Sequence, residues 1–276
     1  MSAPVAIVTG AARGIGAATA RRLARAGWSL VLVDRCADDD ALAYPLATPA
    51  ELDAVALETA GVAVVADVRD QAALDAAVAF AVDRFGGLDA ALAVAGCIVG
   101  GRNAWETGDA AWSVMMDVNA GGVWRLARAA VPVMLRRPVP RRGRFVAVSS
   151  ASGTLGTPLL AAYSAAKHAV IGLVRSMSAE LGPLGITVNA VAPGSTATMM
   201  LEASAGVYGL ATSDAFAAHH QLERLVQPDE VAALIEWLCG PDSAAITGAV
   251  LPVDAGLTAG NLRFVRDVIA RRSRAP

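Results

Sequence analysis

This sequence predicts a doubly wound α/β fold of about seven parallel strands with helices on both faces. Three observations support it. Short β-branched runs alternate with longer Ala-rich helical patterns along the whole chain. The candidate strands are near-continuous apolar runs, as expected of strands buried on both faces. A glycine-rich turn follows the first strand and opens the first helix. Strand–helix alternation of this kind implies right-handed crossovers within one sheet.

The expected strands are Val5–Val8, Ser29–Val33, Val62–Ala66, Ala90–Val94, Arg144–Val148, Thr187–Val191 and Ala249–Val253. Helices are expected between them at 14–26, 49–60, 70–85, 109–136, 160–181 and 228–239. Thr48-Pro49-Ala50-Glu51 reads as an N-cap, a proline in the first helical position and the glutamate of a capping box. Gly61 is expected to end that helix at positive φ. Pro228 opens the last long helix and Gly240-Pro241 closes it. With no internal repeat and no dividing linker, residues 1–276 read as one domain. Its last stretch, 262–276, is a basic tail carrying Arg263, Arg266, Arg271, Arg272 and Arg274, read as a solvated terminus.

Composition narrows the function classes. Of 276 residues, 55% are hydrophobic and 17% charged, which excludes intrinsic disorder. A net charge of −2 is too balanced for a protein that lives on phosphate backbones, so nucleic acid is not expected as a partner. The start, Met1-Ser2-Ala3-Pro4, lacks a basic stretch and does not read as a signal peptide. The uncharged stretches 145–166 and 181–201 are broken by Gly and Pro, so no membrane span is expected. Cys36, Cys97 and Cys239 have no CxxC spacing and suit free thiols in a reducing, cytoplasmic setting. Among 23 basic residues Lys167 is the single lysine, a candidate for work that needs a compact point charge.

Thr9-Gly10-Ala11-Ala12-Arg13-Gly14-Ile15-Gly16 sits between strand and helix. Glycines there let backbone approach a pyrophosphate resting on the helix N-terminus. Asp34 ends the second strand at the spacing of the group that bonds an adenosine ribose. A carboxylate there repels a 2′-phosphate and favours NAD over NADP, whereas the adjacent Arg35 favours the reverse.

Tyr163 and Lys167 stand four apart at the start of an expected helix, hence on one face. An ammonium close to a phenol favours the phenolate, which would let Tyr163 act as a base toward an alcohol. Ser149-Ser150 ends the fifth strand, at the sheet edge where α/β folds bind ligands.

These residues resemble the short-chain dehydrogenases/reductases. TGxxxGxG occurs at 9–16 and YxxxK at 163–167, with Ser150 thirteen residues before the tyrosine. The resemblance spans essentially the whole chain and implies a Rossmann fold. It makes Ser150, Tyr163, Lys167 and Asn119 the catalytic set, with Asn119 in Val118-Asn119-Ala120-Gly121 positioning a proton-relaying water. By the same resemblance Asp67-Val68 contacts adenine, and Pro193-Gly194-Ser195-Thr196-Ala197-Thr198 grips the nicotinamide carboxamide. Tyr163 and Lys167 also count among the cofactor contacts. A homotetramer is implied, with the helix at 160–181 and the C-terminal region as contacts.

Two departures stand out. The family's Asn-Asn-Ala-Gly reads Ala93-Val94-Ala95-Gly96, so the asparagines' contribution is absent or replaced. About twenty extra residues follow Asp34, and the region 35–57 is read as an insertion over the cofactor. With Lys167-His168 and Gly194-Ser195-Thr196, it is similar to the mycofactocin-associated, carveol-dehydrogenase-like branch. That branch implies an alcohol dehydrogenase whose tightly bound NAD passes electrons to a peptide-derived acceptor. Tyr44-Pro45 and Thr48-Pro49 stiffen the segment.

The expected substrate is a small hydrophobic alcohol or ketone. Its wall is read as 194–212, with Met199, Met200, Leu201, Val207, Tyr208 and Leu210, faced by Cys97-Ile98-Val99 and Trp105. His219-His220 lacks ligand spacing, and no metal is assigned. The rival readings are a carbonyl reductase with freely exchanging NAD(P)H and a non-catalytic NAD-binding sensor.

Overall fold

The computed structural model describes residues 3–260. The basic tail at 262–276 lies outside the described residues. Seven strands form one parallel sheet: β1 (Val5–Thr9), β2 (Ser29–Asp34), β3 (Val62–Val65), β4 (Ala90–Ala93), β5 (Gly143–Val148), β6 (Ile186–Pro193) and β7 (Val250–Val253). Their order is β3-β2-β1-β4-β5-β6-β7, so the winding reverses between β1 and β4. That reversal opens a crevice at the carboxyl edge of the sheet, where such folds take ligands.

Alternation along each strand sends side chains to two cores. Val5, Ile7, Val31 and Val33 pack with α3 (Gln71–Phe85), α5 (Gly122–Met134) and α6 (Ala161–Leu181) on one face. Ala6, Val8, Leu30 and Leu32 pack on the other with α1 (Gly14–Arg25), α2 (Pro49–Thr59) and α8 (Pro228–Cys239). Both layers are Ala-rich, which lets the helices lie close to the strands.

The capping box of α2 forms as expected: Glu51 N–H donates to Thr48 Oγ1 at 3.4 Å, and Thr48 N–H donates to Glu51 Oε2 at 2.8 Å. The end of that helix differs. Ala60, at φ 50°, is the left-handed residue, and Gly61 is not. Gly61 is instead a packing glycine, since a Cβ there would stand 3.2 Å from the Leu30 Cβ.

The helix expected at 109–136 forms over 109–134 but is not α-helical throughout. It runs as α4 (Asp109–Val114), a π-helical turn over Met115–Gly121, then α5. Asn119 lies in the turn and engages the Cys97 main chain in both directions, donating to its carbonyl at 3.0 Å and accepting its N–H at 3.2 Å. Holding that residue against another loop competes with the regular α-helical repeat. A helix over Met199–Val207 (α7), where only a pocket wall was expected, is capped by Thr198 Oγ1 accepting the Leu201 N–H.

Candidate active site

Two adjoining cavities of about 670 and 660 Å³ follow the carboxyl edge of the sheet from β2 to β6. Ile15, Val94, Gly96, Thr198 and Met200 line both. The first runs from the glycine turn past Asp34 to Asp67. The second surrounds Ser150, Tyr163 and Lys167.

The glycine turn is built for close approach. A Cβ on Gly16 would lie 1.9 Å from the Gly10 carbonyl oxygen, and one on Gly10 would lie 2.7 Å from the Ala95 Cα. Gly14 takes φ +52°, a conformation L side chains rarely adopt. Asp34 Oδ2 accepts the Ala12 N–H at 3.1 Å, so the acid at the end of β2 also fixes the turn. The asparagines missing from the β4 end have a substitute in Thr9, whose Oγ1 accepts the Val94 and Ala95 N–H groups at 3.1 and 3.3 Å. In the sequence Thr9 is marked only as the first residue of the glycine motif.

Residues 35–48 run as an irregular strap beside the first cavity, and Asp39, Leu42, Tyr44, Pro45, Leu46 and Ala47 line it. Residues 49–59 leave the strap to form α2. Tyr44 spans the cleft and its hydroxyl accepts the Ile98 N–H at 3.0 Å. Burial pushes that phenol up, so it remains protonated and neutral. Arg13 meets Glu51 at 3.1 Å and its Nη1 donates to the Pro45 carbonyl at 3.5 Å. Arg35 pairs with Asp39 and, at 3.3 Å, with Asp67. Arg69 pairs with Asp39 at 2.9 Å and with Asp67 at 2.6 Å. Burial raises the Asp67 carboxyl, but Arg69 and Arg35 hold it below the usual carboxylate range. Asp39 is likewise low, held by the Ala41 N–H and the two guanidinium groups against burial. Arg69 and Asp39 went unnoticed in the sequence, because a surface Arg and an Asp-Asp-Asp run carry no motif.

The Tyr163–Lys167 pair does come together on α6, with the ammonium 5.7 Å from the ring centroid. The expectation that the ammonium lowers the phenol is overturned. Burial pushes Tyr163 up to about 12, with the Ser150 hydroxyl opposing it. The same burial brings Lys167 down to about 8. Loss of hydration is the largest influence on both groups. Lys167 Nζ donates to the Val148 carbonyl at 3.0 Å, and Ser150 Oγ accepts the Ser152 N–H at 3.1 Å. Asn119 is fully buried behind Gly96, where a Cβ would lie 2.8 Å from its Oδ1 and 3.4 Å from Lys167 Nζ.

All the expected cofactor residues line these cavities. Gly10, Arg13, Gly14, Ile15, Gly16, Asp34, Arg35, Asp67, Val68, Ala95 and Gly96 line the first. Tyr163, Lys167, Pro193, Gly194 and Thr196 line the second, and Thr198 lines both. The substrate wall is partly corrected. Met200, Leu201, Tyr208 and Leu210 line the second cavity, joined by Leu155, Leu160, Phe216 and Leu257, which sequence gave no reason to choose. Met199 turns to the first cavity, and Trp105 is 83% exposed and lines neither. Val207 packs behind the wall with Leu160 and Tyr163. The two adjacent histidines separate: His219 borders the second cavity, while His220 is wholly buried. All three cysteines are free and buried. Among the described residues no helix is long and apolar enough to cross a membrane.

A family model described as enoyl-(acyl carrier protein) reductase matches residues 10–258. Taken with the fold and the motifs, the match shows that the chain belongs to the short-chain dehydrogenase/reductase family. It is 39% identical over 263 residues to an NAD-dependent oxidoreductase of Mycobacterium tuberculosis, covering 91% of this chain and 94% of the other. It is 37% identical over 271 residues to (−)-trans-carveol dehydrogenase of Rhodococcus erythropolis, covering 92% and 97%. The crystal structure of carveol dehydrogenase from Mycobacterium avium in complex with NAD superposes with a TM-score of 0.89. The identity there is 35%, over 94% of this chain and 99% of that one.

Proposed function

We propose that the chain is an NAD-dependent alcohol dehydrogenase that keeps its NAD beneath the 35–48 strap while an external acceptor of the mycofactocin type removes the electrons. The observation that carries this reading is the bridge of Tyr44 to the Ile98 N–H, which carries the strap across the cleft from the β2 side to the β4 loop. Arg13 and the Arg35–Asp39–Arg69–Asp67 group tie the strap along the same cavity. Both arginines of that group are engaged by two carboxylates each way, which leaves little free positive charge for a 2′-phosphate. With Asp34 beside them, NAD is favoured over NADP.

The residues fit such a cofactor: the turn folds this tightly at the cleft only because Gly10 and Gly16 lack a Cβ, which would strike the Ala95 and Gly10 backbone. When bound, NAD would supply the hydride-accepting ring. Tyr163 then takes the proton of the substrate hydroxyl, and Ser150 orients that oxygen. Lys167, anchored by Val148, holds positive charge beside the ring. Asn119 positions a water that passes the proton outward. Hydrophobic lining of the second cavity suits a small apolar alcohol or ketone such as a terpenoid. The name of the carveol-oxidising relative supports that substrate class. A reducing cytoplasm suits the three free thiols. A homotetramer is consistent with Trp112 and Trp124, half exposed on α4 and α5.

The test is turnover of a hydrophobic secondary alcohol with added NAD alone, against an artificial dye acceptor. The proposal expects dye reduction without NADH accumulating. Steady NADH release with added NAD would identify an ordinary reductase with exchanging cofactor.

A further inference from the structure

The loop Pro193–Thr198 is held from three sides. Gly194 N–H donates to the Val253 carbonyl at 3.0 Å, and Ala197 N–H donates to the Val226 carbonyl at 2.9 Å. Between them, Ser195 N–H donates to His220 Nε2 at 3.1 Å. This third tie is the one made by a side chain, and it comes from a fully buried imidazole with no part in the catalytic set. The ring also closes on Gly194, where a Cβ would stand 2.9 Å from Nε2 and 2.8 Å from the Asp254 Cα. An acceptor nitrogen carries no proton, so the ring is neutral with its hydrogen on Nδ1. Nδ1 is buried without a well-formed hydrogen bond, and the Phe216 main chain is the polar group facing it.

We propose that His220 is a positioning residue for the nicotinamide half of the cofactor, its neutral imidazole holding the Pro193–Thr198 loop in the shape that receives the ring. The inference rests on the reading that this cleft takes a nicotinamide dinucleotide. Protonating His220 would set a second donor against the Ser195 N–H and release the loop. The groups that bear on its charge are Asp254 at the end of β7, which favours protonation, and His219 and Arg224, which oppose it. Burial opposes it most and sets the ring below the ordinary histidine value of 6.5. The neutral form is therefore native at pH 7, and the tie weakens only as pH falls through the ring's own value, which lies below 6.5.

The experiment loads wild type, His220→Ala and His220→Gln with NADH or with ADP-ribose, which lacks nicotinamide, and follows release from about pH 8 to about pH 5. His220→Ala is expected to release NADH about tenfold faster and ADP-ribose at the wild-type rate, as loss of one partner of a buried N–H implies. Wild type is expected to release NADH faster at acid pH. His220→Gln, whose side-chain carbonyl reaches the same N–H and does not titrate, should slow release again and lose the acid acceleration. Equal acceleration of both nucleotides, no acceleration of either, or an acid limb kept by His220→Gln would overturn the inference. Wild type that retains neither nucleotide would overturn the cofactor reading, and this inference with it.

Discussion

At the Asp34–Asp67 end of the cleft, four charged side chains from the strap and the β2 and β3 ends neutralise one another in partial contact with water. At the Tyr163 end, a phenol and an ammonium are buried without a carboxylate partner, and burial drives both toward their neutral forms. The first arrangement is replaceable piece by piece, because each carboxylate keeps one guanidinium when the other is removed. The second leaves no slack, since a buried charge without an ion-pair partner is costly and persists only where chemistry uses it. One end is thus a fastening, and the other, where we propose the reaction takes place, reduces the stability of the protein.

The contrast is broken most sharply at the catalytic end. Tyr163→Phe is expected to lower alcohol turnover by at least about 100-fold, because it removes the proton acceptor, while bound nucleotide stays in place. Retained turnover, measured by dye reduction, would remove Tyr163 as the base.

Between the two ends stands Tyr44. Tyr44→Phe deletes the acceptor of the Ile98 N–H and leaves that group unpaired beneath the strap. Nucleotide release, followed by filtration, is expected to accelerate about tenfold.

Lys167→Met tests the stability cost directly. Burial sets Lys167 near 8 in the folded chain against 10.5 for the ordinary side chain. The unfolded chain binds the extra proton between those values, so the cost is fully present below pH 8 and fades as pH rises toward 10.5. The inactive Met variant should therefore melt several degrees higher than wild type at pH 7, with the gap closing toward pH 10. A variant that melts lower at pH 7 would show that the ammonium is compensated after all.

The smallest effect belongs to the charged fastening. Arg69→Gln removes one guanidinium from Asp39 and Asp67 and is expected to speed nucleotide release about threefold, with added salt reducing the difference. A change as large as that of Tyr44→Phe would show that these ion pairs are not individually replaceable.

Much of the architecture was legible because it depends on local pattern. All seven strands appear within a few residues of their apolar runs, since a strand buried on both faces has to be apolar throughout. Gly10, Gly14, Gly16, Tyr163 and Lys167 were legible because their chemistry fixes their spacing. The π-helical turn was not, because the distant Cys97 main chain rewards Asn119 for breaking the repeat. Thr9, Asp39, Arg69 and His220 escaped for the same reason: each acts through a partner brought close only by the fold. The electrostatics of Tyr163 were misread for a different cause. Spacing places the ammonium near the phenol, but how dry the pocket is depends on Leu160, Met115 and the strap, and sequence spacing does not report that.

The most direct measurement is a native mass spectrum of the protein as purified. Retention beneath the strap predicts one NAD(H) per chain, surviving extensive dialysis and appearing in the supernatant after denaturation. A bare chain mass, with no nicotinamide nucleotide released on denaturation, would contradict it.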